Sequence, residues 1–261
     1  MPATRAALES LLRIRQLDRT LTTAPARTGL ETASCGITPL DARLGGGFPR
    51  GQVSELVGPR SSGRTSLLLQ AIAAATARGE LVALVDALDM FDVESAAAAG
   101  VDLHRLLWIR GFVVCGGRPA ALPPEVRPPA HRDMNQRALE QALRAFSLVL
   151  QAGNFGLVVF DVAEAPPVAI RRLPFTTWLR LQRMVEGSQT VCLLVGSEPM
   201  ARSSAGLTAQ CGARPADGGC RFTDRLFEGI DLDVSLHQSR IPIAESRRAS
   251  DVRVPLSTVC A

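Results

Sequence analysis

Apolar positions along the chain repeat with two different periods, and the way the two alternate sets the fold class. Residues 53–57, 81–85, 157–160 and 190–195 are short runs rich in Val and Leu, as expected for strands buried on both faces. Between them lie stretches of helical period. Residues 66–77 follow the first strand, and Leu139, Ala142, Leu143, Phe146, Val149 and Leu150 mark a helix over 136–150 that leads through 153–156 into the third strand. Residues 229–236 alternate apolar with polar, like a half-buried strand near a sheet edge. Strand alternating with helix predicts an α/β domain, a mostly parallel central sheet with helices on both faces.

Three segments fall outside this pattern. Ala7, Leu11, Ile14 and Leu21 share one face of a predicted helix over 3–21, set off by a Thr/Ala/Pro linker at 20–28. That stripe either folds back on its own domain or docks on another chain, so Leu11, Ile14 and Leu21 are candidate partner contacts. Residues 116–130, with two glycines and five prolines, predict an exposed loop, and the Gly/Ser/Ala-rich stretch 201–220 predicts a mobile one. The last twenty residues hold Arg247, Arg248 and Arg253 with little apolar period and predict a partly ordered basic tail. The expected organisation is therefore a helix and linker over 1–27, a core over 28–240 and a tail over 241–261.

Composition narrows the class only a little. A chain of 261 residues with 46% apolar content can bury a large core. No run approaches the roughly 18 apolar residues of a membrane span, so a cytoplasmic protein without a membrane partner is expected. The six cysteines, Cys35, Cys115, Cys192, Cys211, Cys220 and Cys260, form no CxxC pair and signal neither a metal site nor a disulfide framework. A net charge of +4, carried entirely on arginine since lysine is absent, is compatible with nucleic acid but does not establish it.

The strongest local signal is Gly58, Pro59, Arg60, Ser61, Ser62, Gly63, Arg64 and Thr65, followed by Ser66, lying between a strand and a helix. The spacing GxxxxG[K/R][T/S] in that setting builds an anion nest of backbone N–H groups at a helix N-terminus. In the active motif lysine reaches the β and γ phosphates and the next hydroxyl, here Thr65, binds Mg²⁺. Arg64 puts a bulkier, planar cation where that ammonium stands, which predicts weakened phosphate binding. In a chain without lysine, compositional drift is the competing explanation.

From residue 28 to about 240 the chain resembles the RecA family. The resemblance rests on Thr28-Gly29, residues 36–41, residues 44–51 and residues 55–63 leading into the phosphate loop, then on residues 70–75, 85–87, 100–103 and Leu106-Leu107. It implies a RecA-like P-loop core. It also implies a glutamate just after residues 86–87 to activate the attacking water, and Leu88 stands there; Asp89, Asp92 and Glu94 are each displaced from that position. Asp161 corresponds to the aspartate closing the next family strand, either coordinating metal through water or capping a turn. The nucleotide-sensing Asn-Gln pair corresponds to Gly196-Ser197. With Arg64, Leu88 and Ser197 altered together, the resemblance implies a lost ATPase: no catalytic residue, no required cofactor, and at most weak ATP or ADP binding with Mg²⁺.

Residues 172–178, 180–183, 190–196 and 199–203 resemble ImuA-type proteins of bacterial mutagenesis cassettes. This implies a non-hydrolysing accessory of SOS-induced, error-prone translesion synthesis, with a catalytically inactive Y-family-like polymerase homologue and an error-prone replicative-type polymerase as partners, and with RecA and DNA as further candidates. Arg171, Arg172, Arg180, Arg183, Arg202, Arg221 and Arg225 are the candidate phosphate contacts; the alternative is an ordinary solvated face. Trp178 and Phe175 either stack on a base or partner, or pack under the loop. An active DNA-dependent ATPase or recombinase, and an ATP-sensing regulator, are the alternative functions.

Overall fold

The computed structural model describes residues 31–111, 129–212, 220–223, 226–238 and 250–257. The 3–21 helix with Leu11, Ile14 and Leu21, most of the 116–130 loop, Arg225, Arg247 and Arg248 lie outside them. Strand β1 (Thr32–Ala33) pairs antiparallel with β2 (Phe48–Pro49), with helix α1 (Thr38–Leu44) between them in the chain. Then follow β3 (Gln52–Val57), α2 (Arg64–Ala77), β4 (Val82–Asp86), α3 (Val93–Ala98), β5 (Leu106–Arg110), α4 (Pro129–Ala152) and β6 (Leu157–Asp161). The second half holds α5 (Pro167–Arg171), α6 (Phe175–Val185), β7 (Val191–Gly196), β8 (Leu207–Cys211), β9 (Cys220–Thr223), β10 (Leu226–Gln238) and β11 (Ser250–Ser257).

Among the described residues nine strands form the main sheet in the order β11-β10-β8-β3-β7-β6-β4-β5, with β9 also paired to β10. The six from β8 to β5 run parallel, and β10 and β11 close one side antiparallel. The expected α/β core with a mostly parallel sheet is the fold observed.

The continuous apolar runs of the central strands serve two cores at once, because successive side chains point to opposite faces. Val82, Leu84, Leu157, Val159, Val191, Leu193 and Val195 join one cluster with α2; Ala83, Val85, Val158, Phe160, Cys192 and Leu194 join the other with α4, α5 and α6. Leu139, Phe146 and Leu181 are fully buried in that second cluster, and Phe146 packs 4.9 Å from Phe160, centroid to centroid. Among the described residues no helix is long and apolar enough to cross a membrane.

The structure corrects four expectations. Residues 207–211, assigned to a mobile loop, form β8 in the sheet between β3 and β10, with Leu207, Ala209 and Cys211 buried. Leu207, Ala209 and Cys211 alternate with Thr208 and Gln210 in a period of two, but over only five residues within a Gly/Ser/Ala-rich stretch, where the composition outweighs so short a pattern. Strand β10 is longer than 229–236, and lies one strand in from the sheet edge, near it as the alternation predicts. The edge beyond it is β11, which lies in the expected tail and pairs with β10 from Gly229↔Ser257 to Leu236↔Ser250. Alternation of Val252, Val254 and Leu256 with Asp251 and Arg253 suits a strand, and proline within strands is largely confined to edges, where Pro255 lies among the described residues. The helix assigned to 136–150 extends to Pro129–Ala152.

Candidate functional site: an altered phosphate loop

Every strand pointing at the site ends on the same side of the sheet, as parallel connectivity requires, so the loops after β3, β4, β6 and β7 converge there. The turn after β3 enters α2 through Ser61 (φ 60°) and Gly63 (φ 78°), both left-handed. Gly63 is needed twice over: for that backbone conformation, and because a Cβ would lie 2.3 Å from the Leu232 side chain of β10. The backbone of an anion nest is thus preserved, with Thr65 and Ser66 exposed on the first turn of α2 and Ser62 buried beneath it.

Arg64 is 5% exposed and turns back along the loop. Its Nη1 donates to the Gly58 carbonyl and, at 3.0 Å, to the Gly196 carbonyl at the end of β7. Its Nη2 lies 3.8 Å from Glu164 Oε1, and Arg60 donates to Glu164 Oε2. The guanidinium therefore bridges the ends of β3 and β7, a contact the longer, forked arginine can make to two carbonyls at once. Pro59, Arg60 and Ser61 are exposed at the tip.

Beside the loop is a cleft of about 170 Å³ lined by Arg64, Thr65, Leu68, Asp86, Leu88, Phe91, Asp161 and Glu164, among others. Asp86 and Asp161 are register partners on β4 and β6. Asp86 is buried and accepts the Phe91 N–H at 2.8 Å, with Trp108 Nε1 at 3.4 Å. Asp161 Oδ1 accepts the Ala163 N–H at 2.9 Å, the turn-capping arrangement. Burial pushes its carboxyl up to about 6; the Ala163 N–H opposes the rise, the Asp86 charge adds to it, and Arg64 offsets part of it.

Leu88 packs against the second apolar cluster, and both nearer carboxylates are committed to structure. Asp89 (φ 56°) receives two 2.8 Å bonds from Arg110, which hold its carboxyl below the usual range, and Arg110 lies 4.6 Å over the Trp108 ring. Asp92 caps α3, accepting the Ser95 hydroxyl and, at 3.0 Å, the Ser95 N–H; both bonds lower its pKa. Glu94 is exposed in the first turn of α3. At the sensor position Gly196 gives its carbonyl to Arg64, and the Ser197 hydroxyl is buried without a protein partner.

The candidate DNA-contacting arginines divide. Arg171, ending α5, and Arg202, in the turn before β8, line one pocket of about 240 Å³ with Phe175, Trp178 and Met200. Arg171 pairs with Glu198 at 2.7 Å, and Arg202 lies 5.9 Å over the Phe175 ring. Arg172, Arg180 and Arg183 are exposed but not part of that pocket; Arg221 has its backbone on β9. Trp178 is 3% exposed, which assigns it to packing.

Sequence reasoning missed three residues here. Asp86 sits inside the stretch 85–87, noted above only as a likeness; Glu164 carries no motif. Glu55 on β3 is buried yet accepts the N–H groups of Met200 (2.7 Å) and Ala201 (2.6 Å) and the Thr208 hydroxyl (2.9 Å), tying the loop after β7 to the central strand. A lone acid inside an apolar strand is the signal that could have found it. The thiols of Cys35, Cys192 and Cys211 are buried and free, and burial raises all three, Cys35 to about 12 and Cys211 to about 11.

Comparison with known proteins agrees with this geometry over the first part of the chain. The RecA N-terminal domain family matches residues 19–111. The chain is 51% identical over 82 residues to the RecA protein of Arthrospira platensis, covering 31% of this chain and 22% of that relative. It is 49% identical over 82 residues, with the same coverage, to the RecA proteins of Synechococcus sp. (strain CC9902) and Prochlorococcus marinus (strain MIT 9211). The chain thus spans about a fifth of the length of the curated relatives it matches. Over those 82 residues the chain is similar to RecA, and the parallel sheet behind the phosphate loop is consistent with that likeness.

Proposed function

From a RecA-like core, we propose a protein that no longer hydrolyses ATP and acts as an accessory scaffold in error-prone translesion DNA synthesis. The observation that carries the first half is the fate of the water-activating position. Leu88 cannot accept a proton, and it lies partly buried against the second apolar cluster, lining the cleft. Asp89 is pinned by Arg110 and Asp92 caps a helix, so neither is available to replace it without dismantling what it holds. Arg64, committed to two backbone carbonyls, supports the same reading. The second half rests on the ImuA-type resemblance of residues 172–203, with the Y-family-like homologue, the replicative-type polymerase and DNA as the partners it suggests. Exposed Arg172, Arg180 and Arg183 would supply salt-dependent phosphate contacts.

The test is ATP turnover by the purified chain with and without single-stranded DNA. No turnover is expected, and the double variant Arg64→Lys with Leu88→Glu should recover a measurable rate if only these positions were lost. Robust DNA-stimulated turnover by the wild-type chain would overturn the proposal.

A further inference from the structure

The turn after β6 has a feature that loss of hydrolysis alone does not require. Ala163 N–H bonds to Asp161 Oδ1, and Ala165 N–H bonds to the Val162 carbonyl at 2.9 Å. This tight turn aims Glu164 at the phosphate loop. Its carboxylate takes Arg60 on one oxygen and faces Arg64 on the other at 3.8 Å. The Glu164 side chain is 20% exposed and that of Arg64 is 6% exposed, whereas Arg60 reaches it from a side chain 77% exposed. A long exposed arginine held on a mostly buried carboxylate is not the arrangement of a freely solvated side chain.

We propose that Glu164 is a built-in anion for this loop: a carboxylate set between Arg60 and Arg64 that competes with the phosphoryl groups of a nucleotide. This rests on the reading that the loop no longer serves hydrolysis. The Glu164 carboxylate, hydrogen-bonded to Arg60 and ion-paired with Arg64, offers these two guanidinium groups the charge compensation that a phosphoryl group would. Because it is tethered to β6, its effective concentration is in the millimolar range or above, so a free phosphate must displace a competitor that never diffuses away. The nest backbone around Gly63 then functions as a closed staple between β3, β6 and β7 rather than as an open cradle.

The experiment is calorimetric titration of the full chain with inorganic pyrophosphate and with Mg-ATP, for wild type, Glu164→Gln, Glu164→Ala and, as a control of net charge, Glu140→Gln on the exposed face of α4. The Glu164 variants should bind pyrophosphate about tenfold more tightly or better, equivalent to about 1.4 kcal/mol, while Glu140→Gln stays at the wild-type value. A gain below about threefold in both Glu164 variants, or an equal gain in Glu140→Gln, overturns the proposal. A second measurement needs no variant: arginine side-chain NMR of the wild-type chain should show the Arg60 guanidinium rotationally restricted, and a freely rotating group overturns the clamp. Failure here leaves the absence of turnover standing, whereas turnover by the wild-type chain removes that reading whatever the binding shows.

Discussion

Single side chains at the cleft set its proton chemistry. Asp161 has its pKa raised from the ordinary carboxylate range to about 6, mainly by burial. A raised acid favours the folded state in its protonated form: the contribution is fully present below about pH 4 and is lost as pH rises through about 6. At pH 7.5 the ionised Asp161 is therefore a net cost. Asp161→Asn, which keeps an oxygen for the Ala163 N–H, should stabilise the chain by about 1–2 kcal/mol at pH 7.5 and by nothing near pH 4, read from urea denaturation at the two values. Equal effects at both would show that the carboxylate is not held up by burial. Arg64 was legible in the sequence because the loop motif fixes its position, and Leu88 because the family resemblance does. Glu164 was not, because nothing in a linear reading says that a carboxylate three residues past Asp161 meets Arg60 and Arg64.

Among the elements, the loop after β7 shows most clearly how a buried polar group is used. Glu55 accepts three hydrogen bonds in an otherwise apolar strand, so removing it leaves two amides and a hydroxyl unsatisfied. Glu55→Ala should cost about 3 kcal/mol or more, whereas Glu55→Gln, whose oxygen can still face the two amides while Thr208 turns to accept, should cost about 1 kcal/mol. Chemical denaturation distinguishes them, and equal losses would mean that the charge matters more than the acceptor geometry. Strands β3, β4, β6 and β7 were readable as unbroken apolar runs. Strand β8 was not, since its alternation spans only five residues in a Gly/Ser/Ala-rich stretch, and it becomes a strand because β3 offers it a parallel edge and Leu207, Ala209 and Cys211 are buried there.

For the whole molecule, the consequential feature is the antiparallel extension of β10 and β11 beside the phosphate loop. Leu232, Val234 and Val254 belong to the same apolar cluster as α2, and Leu232 is the side chain that leaves no room for a Cβ at Gly63. Ending the chain after residue 249 would strip β10 of its partner along eight register positions and leave a long exposed sheet edge. The truncated chain should melt at a lower temperature and aggregate in a concentration-dependent way by light scattering; an unchanged melting temperature would show that β11 is dispensable.

The sequence by itself determined the α/β class, the central strands, the position of the phosphate loop and the presence of Arg64 in it. All of these are local: periodicity and motif spacing act over a few residues. Only the tertiary structure decided that residues 207–211 and 250–257 complete the sheet, that Asp89 and Asp92 are already engaged, and that Glu164 faces the loop. Those outcomes depend on contacts between residues far apart in the chain, Arg64 with Gly196 and Glu164, Leu232 with Gly63. The order of strands in the sheet brings such residues together, and no local pattern encodes that order.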